Sequence, residues 1–159
     1  MAPNDSMLVI AQDAIAFARK KGANEAAAGA YRVRNVEVQW RDGKIEKVSE
    51  ATTRGLGLEL YVEGRYSSVS TSDLRPEAVQ RFVADAVATT RAIAPDPFRA
   101  LPDPALYRGQ EKVDLDLVDP GYGELDAGAR RRIAQELEEA ARSVEGGGAI
   151  LSVTTGFGD

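Results

Sequence analysis

Between Glu25 and Thr71 the apolar residues recur at every second position, and this stretch constrains the fold more than any other. Leu56, Leu58, Leu60 and Val62 share one face of a strand, with Glu59 and Tyr61 on the other; a slip of one residue would bury Glu59. Tyr31 and Val33 alternate, then Val36, Val38 and Trp40 alternate in the opposite parity, which predicts a bulge near Arg34–Asn35. Arg41-Asp42-Gly43-Lys44 is a turn signature, because Asp-Gly tolerates the positive φ of a tight hairpin. Ile45 and Val48 mark a short second strand. Glu63-Gly64-Arg65 turns the chain again, and Tyr66 to Thr71 reads as a fourth. The expectation is an antiparallel four-stranded meander with one buried face.

Helical periodicity flanks this core. From about Ser6 to Lys21, Met7, Ile10, Ala11, Ala14, Phe17 and Ala18 form an apolar stripe, with Asp5 or Ser6 as cap and Gly22 as stop. Pro76 suits the first turn of a second helix, capped by Ser72 or Asp73, whose stripe is Val79, Phe82, Val83, Ala86, Val87 and Thr90. Pro95 to Pro120 holds five of the seven prolines and reads as an extended connector over about 95–122. Phe98, Leu101, Leu106, Tyr107, Leu115 and Leu117 are expected to drape it over the domain. A third helix spans about Leu125 to Val144, with Ala129, Ile133, Leu137, Ala140 and Val144 on a narrow stripe. Gly146-Gly147-Gly148 reads as a flexible hinge before a last strand, Ala149 to Phe157, with an exposed edge that favours self-association or disorder. The fold class is α+β: an antiparallel four-stranded meander covered by helices, with an additional C-terminal strand. At 159 residues the chain is expected to form a single domain, 1–159.

Composition removes whole classes of chemistry. The sequence contains neither Cys nor His, so it can build no disulfide, thiolate zinc site, Cys nucleophile or Ser-His-Asp triad. A net charge of −5 argues against direct binding of nucleic acid. Arg130-Arg131-Arg132 is the one dense basic run, and its bland reading is a solvated helix face with Arg132–Glu136 and Glu138–Arg142 pairs. The longest apolar stretch, Met7 to Phe17, is broken by Gln12 and Asp13 and lacks the flanks of a signal peptide. The expected location is cytoplasmic, with no membrane partner.

The remaining motifs each have a plainer explanation than chemistry. Gly55-x-Gly57 lacks the third glycine of a dinucleotide fingerprint and lies inside a strand, so backbone crowding or a bulge explains it. Asp114, Asp116 and Asp119 hint at calcium, but the spacing departs from the calcium loop; solvated acids alternating with buried Val113, Leu115 and Leu117 suffice. Ser67, Ser68, Ser70, Thr71 and Ser72 have no activating base and suit the polar face of an edge strand. Trp40 and Tyr31 read as sheet-face packing. Catalytic and metal-ligating residues are therefore none, and substrate-binding residues are unassigned.

Several collinear motifs point further. Val36-Glu37-Val38, Asp42-Gly43-Lys44-Ile45-Glu46-Lys47-Val48-Ser49, Arg54-Gly55-Leu56-Gly57-Leu58, Glu63-Gly64-Arg65 and Ser70-Thr71-Ser72-Asp73-Leu74 occur in that order, followed by Glu77-Ala78-Val79. Together they resemble the amino-terminal region of the TldD/PmbA family, metallopeptidase-like modulators of DNA gyrase. Asp96-Pro97-Phe98, Leu101-Pro102-Asp103-Pro104, Asp114-Leu115-Asp116-Leu117 and Asp119-Pro120 resemble its PmbA (TldE) branch more than its TldD branch.

The resemblance implies a non-catalytic amino-terminal domain of a zinc metallopeptidase complex, contributing to a subunit interface and a peptide chamber. In that family the TldD-type subunit binds zinc through a His-Glu-x-x-x-His helix and cleaves peptides beside a PmbA-type partner. No such ligand transfers to a chain without His. This chain is expected to hold no cofactor, to be inactive alone, and to pair with a TldD-type subunit or itself, with peptide as substrate of the whole complex. Family chains are far longer, so a reading frame continuing past Asp159 is expected. The alternative is a free-standing module that binds a protein partner through a sheet edge.

Overall fold

The computed structural model describes residues 3–109, 114–144, 146–150 and 152–158, the first three as backbone. The elements are α1 (Pro3–Lys20), β1 (Glu25–Arg41), β2 (Lys44–Val62), β3 (Arg65–Thr71), α2 (Pro76–Thr90), α3 (Ala127–Ser143) and β4 (Thr154–Gly158). The strands form one sheet in the order β3-β2-β1-β4, with β2–β3 and β1–β4 antiparallel. The fold is α+β. The chain divides into two compact units, Met1–Val33 with Thr53–Lys112 and Arg34–Thr52 with Val113–Asp159.

In the first unit the period-two register holds. Leu56, Leu58, Leu60 and Val62 are fully buried, packed with Ala14 and Ala18 of α1 and Val79, Val83, Ala86 and Val87 of α2. Glu59 and Tyr61 lie on the opposite face, where the Tyr61 and Tyr66 rings meet at 5.2 Å. Glu63 and Gly64, with φ of 52° and 74°, make the two-residue primed turn that suits a right-twisted hairpin. Gly22, at φ 100°, stops α1 in the left-handed conformation.

The caps differ from expectation. The first helix starts at Pro3, so Ser6 lies inside it, and the Asp5 side chain is outside the described residues. Arg75 occupies the cap position of α2 with no side-chain cap bond. Asp73 instead accepts from the Arg75 N–H at 3.1 Å and pairs with its guanidinium, fixing the turn before the helix. Pro76 pre-sets the first turn and makes a cap less necessary.

Two strand assignments also change. The expected second and third strands are one continuous strand, β2, because no turn residue interrupts Val48 to Arg54. The inward residues at the start of β1 also differ: Ala26, Ala28 and Ala30 pack on the core of the first unit, whereas Tyr31 and Val33 are exposed. Small alanines hid the true inward face.

In the second unit Val38 and Trp40 pack on Ala134 of α3. The buried stripe of this helix is Arg130, Ala134 and Glu138, not the apolar one read from sequence. Leu137, Ala140 and Val144 are exposed, and the Arg130–Arg132 run is not uniformly solvated, since Arg130 is buried. Hydrogen bonds to the two charged side chains compensate their desolvation, so a polar stripe faces inward. The triple glycine forms a tight turn in which Gly147 is buried against the Arg142 carbonyl and donates to Val144 O at 2.8 Å. The last strand is shorter than expected and anchored on one side by β1, with Val38 opposite Phe157.

The connector does not drape as expected. Phe98 is 94% exposed and Leu117 82%, and Leu106, Tyr107 and Leu115 are exposed too; only Leu101 is half-buried. Val113 lies outside the described residues. Its turns are fixed locally, Asp103 capping Pro104–Tyr107 and Asp119 capping Pro120–Glu124, so apolar contact is not what shapes it.

Candidate functional site

The densest polar cluster in the second unit gathers at the tip of the β1–β2 hairpin. Asp42 and Gly43 adopt φ of 47° and 79°, which turns the Asp42 side chain toward the chain entering β4. Its carboxylate accepts from the Ser152 hydroxyl (2.7 Å), the Val153 N–H (2.9 Å) and the Arg142 guanidinium (2.6 Å). The Glu138 carboxylate accepts from the Gly43 N–H at 3.0 Å and from Arg142 Nε at 2.8 Å. Arg142 thus bridges two acids, one on its own helix and one on the turn.

These donors stabilise the ionised forms. The Ser152 hydroxyl, then the Val153 N–H, hold the Asp42 carboxyl below its usual range; the Gly43 N–H, then Arg142, do the same for Glu138. Every oxygen of both acids has a donor, so neither is presented as a base or a ligand. The cluster is a fastening of α3 and β4 to the hairpin. Sequence reasoning found one part of it, the Glu138–Arg142 pair, and missed Asp42, which carried only the signal of a turn.

Two grooves lie elsewhere. In the second unit, about 350 Å³ opens beside Val36, Val38, Val48 and Leu125, with the Arg34–Glu50 ion pair (2.9 Å) on its rim. Buried Arg130 borders it and donates to Leu125 O at 2.5 Å. In the first unit, about 440 Å³ separates α1 from α2 over Ile10, Phe17, Leu74 and Val79, with Asp13 and Lys20 at the rim.

The sequence motifs find structural roles. A Cβ on Gly55 would meet the Tyr31 ring at 2.7–2.9 Å, so this glycine admits the ring; at Gly57 the nearest atom, Gly29 O, is 3.8 Å away. Trp40 is buried in the sheet face, as expected. Asp114 accepts from the Asp116 N–H at 2.9 Å and Asp119 from the Gly121 N–H at 2.7 Å, each closing its own turn. Ser67 faces α2, where its hydroxyl lies 2.6 Å from that of Thr90, which itself donates to Ala86 O at 2.6 Å. Thr90 has spent its proton, so Ser67 is the donor and not a nucleophile. Ser68 and Ser70 are exposed on the edge strand.

Zinc does not fit the donors present. The chain has no His or Cys, and among the described residues no group of three or more acids is placed to hold a metal ion. No helix among the described residues is long and apolar enough to cross a membrane.

The fold is α+β, and in the polar cluster of the second unit the acids are saturated by donors of the chain itself. Comparison with known proteins names its relatives. Residues 26–90 match the family described as PmbA/TldA metallopeptidase domain 1. The chain is 32% identical over 106 residues to the metalloprotease PmbA of Escherichia coli O157:H7, covering 67% of this chain and 23% of that protein. A solved structure of a candidate modulator of DNA gyrase from Bacteroides thetaiotaomicron superposes with a TM-score of 0.86 at 32% identity, covering 97% of this chain and 34% of that one. TldE from Thermococcus kodakarensis shares the fold at a TM-score of 0.61 and 21% identity, over 84% of this chain and 29% of its own. Residues 26–90 belong to the PmbA/TldD family, as its first domain. The chain spans about a quarter to a third of the length of these relatives.

Proposed function

We propose that this chain is the non-catalytic amino-terminal domain of a PmbA-type subunit, forming part of a subunit interface and of the wall of a peptide chamber in a cytoplasmic peptidase complex. The observation that carries this reading is the connector. Phe98, Leu106, Leu115, Leu117 and Val118 stand exposed on a chain whose turns are fixed by aspartates. Covering each large apolar side chain would contribute about 1.5–3 kcal/mol, a strong drive toward a protein partner. Zinc and hydrolysis are assigned to a TldD-type partner, since the donors here do not suit the metal. A peptide-cleavage assay with metal analysis tests the division of labour. The chain alone is expected to cleave nothing and to retain no zinc after desalting; cleavage by the chain alone, or one tightly held zinc per chain, contradicts it.

A second reading, a module that binds a protein partner through a sheet edge, is favoured by the position of β3 at one end of the sheet.

A further inference from the structure

We infer that the open edge of β3 is a docking site for an extended peptide, which adds as a fifth strand along Tyr66–Ser70. The inference rests on the edge-binding reading and is independent of any TldD-type partner.

Hairpin geometry determines which backbone groups face outward. The two-residue primed turn at Glu63–Gly64 is closed by Val62 opposite Arg65, which makes that pair hydrogen-bonded. Alternation then makes Leu60–Ser67, Leu58–Val69 and Leu56–Thr71 hydrogen-bonded too. Tyr61–Tyr66, Glu59–Ser68 and Gly57–Ser70 are the non-bonded pairs. Accordingly Tyr61 O turns away from β3 and accepts from the Asn24 N–H at 2.9 Å. Tyr66, Ser68 and Ser70 therefore direct their N–H and C=O groups to the side where, among the described residues, β3 has no neighbouring strand.

This edge lacks the usual protections. From Tyr66 to Thr71 it carries no Lys, no Pro and no inward charge; Arg99 covers the Tyr66 ring, and the other two outward-bonding residues, Ser68 and Ser70, are exposed and leave the backbone accessible. The two faces state what an added strand should carry. On the helix side, half-buried Val69 and Phe82 end the apolar layer beneath α2, so a Val or Ile beside them extends that core. On the other side Glu59 lies opposite Ser68, with Tyr61 and Tyr66 next along and the Arg99 guanidinium already 4.7 Å from the Tyr66 ring centre. A Lys or Arg on the added strand therefore belongs beside Ser68, within reach of Glu59. The ligand is thus an extended segment alternating β-branched apolar with basic or hydroxyl residues.

The capped octapeptide Thr-Val-Lys-Val-Thr-Val-Lys-Thr is the probe, titrated into the 159-residue chain while amide hydrogen exchange is followed. Exchange at Ser68 and Ser70 should slow on binding, whereas Ser67 and Val69, already in the ladder, should change little. Ser68→Pro removes an outward donor and no ladder bond, so it should weaken the peptide by about tenfold or more with an unchanged melting temperature. The same peptide N-methylated at its Lys and Thr residues, tested on the unaltered chain, should not bind; this arm needs no variant to fold. Unslowed exchange at Ser68 and Ser70, or equal binding of the N-methylated peptide, overturns the proposal. So does a dimer in sedimentation that Ser68→Pro dissolves, since the edge would then serve a second copy. None of these outcomes bears on whether a TldD-type subunit binds.

Discussion

Arg142 and Asp42 are separated by 100 residues of chain and by 2.6 Å in space. The contact joins the last turn of α3 to the tip of the hairpin, and the same guanidinium holds Glu138, whose carboxylate receives the Gly43 N–H. Asn tolerates the left-handed backbone of position 42 nearly as well as Asp, so Asp42→Asn removes charge without straining the turn. It should raise amide exchange at Val153 by about tenfold and leave α1 and α2 unaffected. Unchanged exchange at Val153 would mean the carboxylate is not what secures the approach to β4.

The pH dependence of this fastening has a definite sign. Hydrogen bonds lower the folded-state pKa of Asp42 and Glu138 below their unfolded values, so the folded chain binds fewer protons. The stabilisation is complete above the ordinary carboxylate range, about 3.9–4.3, and is lost as pH falls through it toward the lower folded values. Amide protection at Gly43, corrected for intrinsic rate, should be flat between about pH 6 and 8 and decline below about 4. The Asp73 carboxyl is lowered further, to about 2, by Arg75, but that pair is solvent-exposed and screened and should leave little trace. Protection that rises on acidification contradicts the assignment.

Leu58 is 1% exposed at the centre of the first unit's core. Leu58→Ala should cost about 2–5 kcal/mol in a denaturant melt, as deletion of a buried side chain does. Leu117→Ser, on the exposed connector, should cost less than about 0.5 kcal/mol. Similar values for the two would place Leu58 in the wrong register.

Gly55 and Tyr31 should be coupled. A methyl group at position 55 lands within 3 Å of the outer end of the Tyr31 ring, which is 51% exposed and can swing away, so Gly55→Ala should destabilise by no more than about 1 kcal/mol. In a Tyr31→Ala background most of that penalty should disappear, because the obstructing ring is gone. Additive effects in the double-mutant cycle would show that backbone conformation, not the ring, demands glycine.

What was legible in the sequence was whatever a single period or turn dictates. The Leu56–Val62 face, the Asp42-Gly43 turn and the stripe of α2 each follow from spacing alone, and each stands in the structure. Resemblance likewise rested on short collinear motifs, of which those from Val36 to Val79 lie within the matched region 26–90 and those from Asp96 to Pro120 lie beyond it. The inward face of α3 was not legible, because Arg130 and Glu138 become acceptable inside only through partners such as Leu125 O and the Gly43 N–H, supplied by folding. Nor was the start of β1, where alanines too small to signal burial line the core and the larger Tyr31 and Val33 face out. The connector misled for the opposite reason: its apolar residues looked like core and are exposed.

The central claim, that this domain's exposed surface serves a subunit interface, is most directly tested by sedimentation velocity of the chain titrated with a purified TldD-type subunit. The account predicts a complex at micromolar concentration, weakened by about tenfold or more when Phe98→Ser and Leu117→Ser are combined, with the melting temperature of the chain unchanged. Two independently sedimenting species throughout the titration, or a complex indifferent to both substitutions, would contradict it.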